Sequence, residues 1–251
     1  MKTVSTFIAG LLMLCTAVAQ NPPLQTPAAQ PTKRTDIYHV LFAKAGVGKA
    51  AQLGDALRNQ LPNAPMPGHY LVLRHQQGDE WDYVAIEHLG TSATVNAAAP
   101  PVPPAVRDLY DWHTDSFVSG PSWAEFSRAL GMAPESVAKT VDSVYVVAVM
   151  RAAPGQRDAL DKFITAPPTP GGAPAGETVV LQHLEGGPWQ FLTVTRFNSW
   201  QEYATNQTSS VADTRKNPAG GWSQLRSLSS FHRDTITDRI SPAAAQTAPT
   251  K

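Results

Sequence analysis

Apolar residues follow the same succession of spacings twice along this chain. In the first stretch, strand-like runs with period two surround a segment whose apolar residues recur at helical spacing. The elements predicted there are strand 37–43, helix 47–61, strands 70–75 and 81–89, a weak helix at 106–110 and strand 111–118. The predicted order is therefore β-α-β-β-α-β.

The second stretch predicts the same order. Its elements are strand 144–150, helix 156–164, strands 178–183 and 189–197, a helix beginning near residue 200, and strand 231–237. Ser199 and Glu202 form a capping-box pattern at the start of that helix. Ser122 and Glu125 form another, which predicts an additional helix at 123–130 between the two stretches.

The residues themselves also repeat. Residues 68–83 read GHYLVLRHQQGDEWDY and residues 176–191 read GETVVLQHLEGGPWQF, so glycine, leucine, histidine and tryptophan recur at an offset of 108. A period of this size predicts two structural units in tandem. We expect repeat 1 at 36–118, a linker with a helix at 119–142, and repeat 2 at 143–240.

The predicted fold class is α+β. Each repeat has the element order of a ferredoxin-like unit, which leaves one face of its sheet without helices. Residues 37–42 and 145–150 are apolar at both strand parities, which is typical of strands buried on two sides. We therefore expect the two bare faces to cover each other within one chain, as a monomeric pseudo-dimer.

This pattern resembles the dimeric α+β barrel superfamily, in element order, repeat length and the Tyr-x-Val of the opening strand. That superfamily includes small antibiotic-biosynthesis-type monooxygenases and related stress-response and NIPSNAP-like domains. Two subunits usually build the barrel, and here one chain would supply both halves. The resemblance implies cofactor-independent oxidation of an aromatic or polyketide-like compound, with a histidine removing a proton and a tryptophan shaping the pocket.

The first residues predict export. Lys2 is the only charge in residues 1–19, an apolar run follows it, and Ala17-Val18-Ala19 has the pattern of a cleavage site. The run is too short for a membrane-spanning helix. We expect a periplasmic or secreted product cleaved near Ala19, followed by a disordered spacer at 20–35 and ending in a disordered tail at 241–251.

Cysteine and charge exclude several function classes. Cys15 is the only cysteine and would be removed with the signal, which leaves no disulfide or thiolate ligand. The whole chain has 20 basic and 20 acidic residues, and without Lys2 the count is 19 to 20. We expect no nucleic-acid partner, because no basic stripe is present to neutralise phosphates. No dinucleotide-binding glycine motif occurs, and we expect no cofactor.

Two His-x-Asp motifs are the candidate catalytic residues. His113 and Asp115 share one strand face, as do His232 and Asp234. A carboxylate beside an imidazole can orient it as a general base. With the histidines that end the second strands, these residues predict two polar clusters: His75/His113/Asp115 and His183/His232/Asp234.

Three interpretations of these clusters stay open. Each His-Asp pair is a structural hydrogen-bonded clip, an acid-base or substrate-binding site in the barrel interior, or a metal site, although the spacing matches no metal-ligand signature.

Trp81 and Trp189 are hairpin-packing aromatics or walls of an apolar ligand pocket. His39 has no counterpart, because Val146 occupies its place. It is a core histidine or an active-site residue present in one half only.

Two functions follow. The first is an exported enzyme or binder that takes a small apolar or aromatic molecule into the barrel interior, with His113 or His232 as base and His75, His183, Trp81 and Trp189 around the ligand. The second is a non-catalytic exported interaction module whose barrel is filled by apolar side chains and has no cavity of ligand size. No metal site is assigned, and the sequence does not decide whether the chain is an enzyme.

Overall fold

The computed structural model describes residues 33–60, 64–90, 103–133, 136, 140, 142–168, 175–184 and 187–241. The predicted signal at 1–19 and its cleavage site lie outside these residues, as do most of the spacer and nearly all of the tail. These predictions stay untested by the structure.

Eight strands are present in the described residues, close to the positions that the apolar pattern predicts. They are β1 (Asp36–Ala45), β2 (Tyr70–Gln77), β3 (Tyr83–Gly90), β4 (Tyr110–Gly120), β5 (Val144–Ala152), β6 (Glu177–His183), β7 (Phe191–Phe197) and β8 (Ser229–Arg239). The described helices are α1 (Ala50–Arg58), α2 (Pro104–Arg107), α3 (Trp123–Ala129), α4 (Arg157–Ile164), α5 (Trp200–Lys216) and α6 (Gly221–Leu228). The protein is therefore a mixed α+β fold.

The strands form one antiparallel sheet. Its pairings run β1-β3-β2-β8-β5-β7-β6-β4 and return to β1, which closes the sheet into a barrel. The first four strands lie in the order β4-β1-β3-β2, and the last four in the equivalent order β8-β5-β7-β6. The β2–β8 and β4–β6 pairs join the two sets.

Apolar side chains fill the interior of the barrel. Alternate residues of β1 through β7 point inward and form one buried cluster, which includes Tyr38, Val40, Leu71, Ile86, Val118, Tyr145, Val147, Leu181 and Val194. Helix α3 adds the fully buried Phe126 to this cluster, and Leu130 beyond its end adds another side chain. The sequence predicted that the bare faces of the two half-sheets cover each other, and these packed side chains fill the space between those faces.

Helix α3, which connects the two halves, is fixed at both ends by a tyrosine. Tyr38 Oη donates to the Pro121 carbonyl (2.7 Å), and Tyr145 Oη donates to the Leu130 carbonyl (3.0 Å). These are the two tyrosines that open the first strands of the repeats, and burial raises the pKa of both hydroxyls. The predicted capping box of Ser122 and Glu125 is present at the start of α3.

The remaining helices cover the outer face of the sheet. Leu53 of α1 is buried against Ala43 and Tyr83, and Leu160 of α4 is buried with Met150 and Phe191. Because the same strands contact the core on one side and helices on the other, both strand parities are apolar. The sequence alone could not say which parity faces inward.

Three details differ from the sequence-based expectation. The helix predicted to begin near residue 200 is α5, and a second helix that was not predicted, α6, follows it after Gly220. Ser199 accepts from the Glu202 amide, but Glu202 binds the Asn198 amide in place of the reciprocal cap bond. The predicted disordered spacer ends earlier than residue 35, because Arg34 forms a bidentate ion pair with Asp161.

Candidate functional site

The outer face of β4, β1, β3 and β2 presents three rows of side chains. Because Tyr38, Val40 and Phe42 point into the barrel, His39 and Leu41 point outward. The strand registers give the rows as Phe117–His39–Glu87–Tyr70, Asp115–Leu41–Ala85–Val72 and His113–Ala43–Tyr83–Arg74. The middle row is apolar apart from Asp115, and the two outer rows carry the other polar groups.

Asp115 lies between two imidazoles on this face. His39 Nε2 is 2.7 Å from Asp115 Oδ1, and His113 Nε2 is 3.3 Å from Asp115 Oδ2. His39 is three-quarters buried, whereas about half of each of the other two side chains is exposed. The sequence correctly grouped His113 with Asp115, and the structure adds His39 from the neighbouring strand.

The charge state of Asp115 fixes the role of each nitrogen of His39. The hydrogen bond from His39 lowers the pKa of Asp115, with further lowering by the charges of His39 and His113, although burial opposes the shift. The carboxylate is therefore ionised near neutral pH, and His39 Nε2 donates to it. When the His39 ring is neutral, Nδ1 therefore carries the lone pair; it has no hydrogen-bond partner among the described residues, so it can accept a proton.

A cavity of about 300 Å³ lies over these rows, beneath α1 and α2. Its polar lining is His39, Asn59, Gln60, Tyr70, Glu87, Arg107, Tyr110, His113 and Asp115; its apolar lining is Leu41, Ala56, Leu57, Val72, Ala85, Ile86 and Val106. Polar groups arranged around an apolar floor are typical of small-molecule sites. The His39–Asp115 pair borders this space.

Fixed hydrogen bonds order the polar end of the cavity. Tyr70 Oη donates to the Arg58 carbonyl (2.6 Å), and burial raises the pKa of this hydroxyl. Gln60 Nε2 donates to Glu87 (2.8 Å), and Gln60 Oε1 accepts from the Gly68 amide (2.7 Å). The helix that roofs the cavity is thereby tied to the sheet that forms its floor.

The corresponding region of the second half is built differently. His232 Nε2 is 3.0 Å from Asp234 Oδ1, also on the outer face, but Val146 stands where the first half has His39. Met150 and Phe191 are buried against α4 over the adjacent strands. The His39 arrangement thus occurs in one half, as the unmatched histidine in the sequence suggested.

The predicted clusters that included His75 and His183 are wrong. His75 is next to Trp81 (ring centroids 5.8 Å) and His183 next to Trp189 (4.7 Å), and both tryptophans contact Phe42 inside one end of the barrel. These residues project inward, whereas the His-Asp pairs project outward. The reason is strand parity. His75 and His183 lie on the same face of their strands as the core residues, and the His-Asp pairs lie on the opposite face of the sheet.

The four residues form part of a packed barrel end, and Trp81 and Trp189 are almost fully buried. His75 Nε2 is buried and has no hydrogen-bond partner in the part of the chain that the structure describes. The predicted location of the ligand in the barrel interior is therefore not supported, because the core cluster occupies that space.

Sequence reasoning missed a second histidine cluster at the other end of the barrel. His69 Nδ1 is 3.0 Å from His88 Nδ1, and His88 Nε2 is 2.8 Å from Asp36 Oδ2. Trp123 of α3 stacks on His69, with ring centroids 4.5 Å apart. No spacing in the sequence links these residues, since they come together only through the strand register and the docking of α3.

A larger cavity of about 470 Å³ lies between α3, the end of α4 and the start of β6. Arg34, Glu125 and Arg128 are among its lining residues, but no histidine is. It therefore offers carboxylates but no imidazole, and the His39 cavity is the better candidate for a site with a histidine base.

Two further searches bear on the site. In the part of the chain that the structure describes, no three or more His, Cys, Asp or Glu side chains are grouped so as to hold a metal ion. Over the same residues, no helix has the length and apolar character needed to cross a bilayer.

The fold is similar to two solved structures. An anthrone oxidase-like protein aligns with a TM-score of 0.55 and 14% identity over 87% of this chain and 100% of that chain. A candidate monooxygenase from Lactobacillus acidophilus NCFM aligns with a TM-score of 0.50 and 9% identity over 82% of this chain and 94% of that chain. No protein-family model matches the chain, and no curated protein matches it significantly. At these identities the likeness shows the fold alone.

Proposed function

We propose that this protein is a monooxygenase-like enzyme that oxidises a small aromatic compound in the cavity beneath α1 and α2. The observation that carries the proposal is the His39–Asp115 pair (2.7 Å) at the border of an apolar cavity of about 300 Å³. The names of the structural neighbours are consistent with this class of reaction. This site replaces the barrel interior expected from the sequence.

His39 would act as the general base. Its Nδ1 accepts a proton from an acidic C–H or O–H group of the substrate, and Asp115 stabilises the imidazolium that forms. The apolar floor keeps water away from the resulting electron-rich anion. His113, on the other carboxylate oxygen, helps to hold Asp115 in place.

The overall reaction balances with molecular oxygen as co-substrate. For an anthrone, the ring CH₂ group becomes a carbonyl: two C–H bonds break and one C=O group forms. One oxygen atom of O₂ enters that carbonyl, and the other leaves as water with the two hydrogens. The substrate loses four electrons and O₂ gains four.

The second candidate, a non-catalytic interaction module, is favoured by one specific observation. The barrel interior is packed with fully buried apolar side chains such as Leu71, Ile86 and Leu181, as that interpretation predicted. It also predicted no cavity of ligand size, however, and the outer cavity does not fit this expectation.

The origin, assembly and location of the protein are part of the proposal. We infer a tandem duplication from the sequence repeat, supported by the equivalent strand orders of the two halves. We further propose that the chain works as a monomeric pseudo-dimer and is exported after cleavage near Ala19. The native and denatured masses of protein recovered from an exporting bacterial host test both statements.

Oxygen uptake with anthrone as substrate tests the function. The wild type should consume O₂ and release anthraquinone in a one-to-one ratio. His39→Ala should lower the rate about 10²–10⁴-fold, the usual contribution of a general base. His232→Ala, in the corresponding pair of the other half, is the matched control and should stay within about twofold. Equal losses in both variants, or none in His39→Ala, would remove His39 as the base.

A further inference from the structure

Glu87 lies next to the proposed base. His39 and Glu87 are directly paired residues of β1 and β3, and Tyr70 is the partner of Glu87 on the other side. Directly opposed residues in antiparallel strands point to the same face, and neighbouring strands are about 5 Å apart. A flat ligand that meets His39 therefore also reaches Glu87.

The Glu87 carboxylate is fixed in position. Gln60 Nε2 donates to Glu87 Oε1 (2.8 Å) and also lies 3.2 Å from the Met66 carbonyl, while Gln60 Oε1 accepts from the Gly68 amide. Gln60 is thus held by three contacts and cannot turn away easily. A preorganised acceptor loses little conformational entropy when a ligand binds to it.

The carboxylate also lacks a full set of donors. No ion pair to Glu87 occurs among the described residues, even though Arg107 lines the same cavity. Tyr70 cannot supply a proton, because its hydroxyl already donates to the Arg58 carbonyl. An ionised carboxylate only accepts hydrogen bonds. Glu87 Oε2 is therefore available to a donor on the ligand.

We propose that Glu87 is a specificity-determining residue that selects substrates with a second hydroxyl about 5 Å from the group that His39 deprotonates. The inference rests on the proposed function and deepens it. It names the substrate class as aromatic compounds with hydroxyls in a 1,3 relation, of one to three rings, as the cavity volume allows. Glu87 contributes to substrate selection, and proton removal belongs to His39.

Two binding probes of nearly equal shape test the inference. 1,3-Dihydroxynaphthalene presents both hydroxyls, and 3-methoxy-1-naphthol has the second hydroxyl masked by a methyl group. Dissociation constants come from protein NMR titrations, which also report whether His39 signals move. The wild type should bind the diol about tenfold more tightly than the ether, the usual effect of one hydrogen bond to a charged group.

Two variants and one control complete the design. Glu87→Gln keeps the size of the side chain without its charge, and Glu87→Met removes the acceptor. Both should lower the preference for the diol, and Glu87→Met should abolish it. Thr195→Val, at the position of the second half that corresponds to Glu87 in the repeat, should keep the preference for the diol. Thermal unfolding confirms that each variant is folded.

The possible failures are distinguishable. Equal wild-type affinity for both probes, with His39 signals moving, overturns the role of Glu87 and leaves the proposed site intact. A preference retained in Glu87→Met also overturns that role. If neither probe binds or moves His39, the proposed function fails together with the inference.

Discussion

His69 and His88 face each other through their Nδ1 atoms, 3.0 Å apart. At this distance only one of the two nitrogens can carry a hydrogen. Asp36 accepts from His88 Nε2 and so fixes the lone pair of His88 on Nδ1. Trp123 of α3 stacks on both rings. The docking of the connecting helix is therefore linked to the protonation of this pair.

The pKa of His69 should lie below its ordinary value. Burial lowers it most, and the neighbouring His88 lowers it further. Because the unfolded chain takes up this proton first, the contribution of His69 to stability is present above the ordinary histidine pKa and is lost as pH falls through the lowered value. NMR titration of the ring signals measures the shift.

His88→Gln provides the control for that titration. It removes the repulsion between two imidazoles and leaves the burial of His69 in place, so the pKa of His69 should rise part of the way toward normal. A normal pKa of His69 in the wild type would contradict the effects expected from its burial and from the neighbouring His88.

Tyr145→Phe should lower the free energy of unfolding by about 1–2 kcal/mol, because it leaves the buried Leu130 carbonyl without its donor. Tyr38→Phe removes the equivalent bond to Pro121 and should cost a similar amount. Urea unfolding measures both. Tyr203→Phe is the control, since its hydroxyl makes no hydrogen bond within the described chain; a comparable loss there would show that the effect is unrelated to α3.

Gly54→Ala should weaken ligand binding in the outer cavity. A Cβ at position 54 would lie 2.6 Å from Tyr83 Oη, which donates to the Ala50 carbonyl. Helix α1 would have to move away from the sheet, and α1 roofs the cavity. Lower thermal stability and a higher Kd for anthraquinone are the expected results. Gly48→Ala is a poor control because of its positive φ, so Gln52→Ala on the exposed side of α1 serves instead.

Asp115→Asn should lower turnover of anthrone about 10²–10⁴-fold without a large change in Tm, because nearly half of this side chain is exposed. The amide cannot stabilise an imidazolium at His39. The pKa of Asp115 is lowered in the folded protein, so its stabilising contribution is present above the ordinary carboxyl value and is lost as pH falls through the lowered one. An unchanged rate in Asp115→Asn would exclude the pair from catalysis.

The element order could be predicted from the sequence because spacing alone reports it. Strand β5 and helix α4, for example, lie within two residues of their predicted bounds. The sequence could not predict which face of β1 points inward, because Tyr38 and Val40 on one face and Ile37 and Leu41 on the other are all apolar. Both faces are covered, one by the barrel core and one by α1.

The candidate site was predicted in part. Residues i and i+2 of a strand share a face, so the pairing of His113 with Asp115 needed no tertiary information. The approach of His39 to Asp115 depends on the β1–β4 register, in which Leu41 opposes Asp115. His75 was misplaced because the sequence did not show which face of β2 points inward: His75 points into the barrel, and its strand lies two positions away from β1.

The most direct test of the account is the place where a product molecule binds. Anthraquinone is titrated into the wild-type protein while the histidine ring signals are followed by NMR, each assigned by a single substitution. We predict that His39 and His113 shift while His75 and His183 do not, since the ligand enters the outer cavity. Shifts confined to His75 and His183 would place the ligand inside the barrel end and contradict the account.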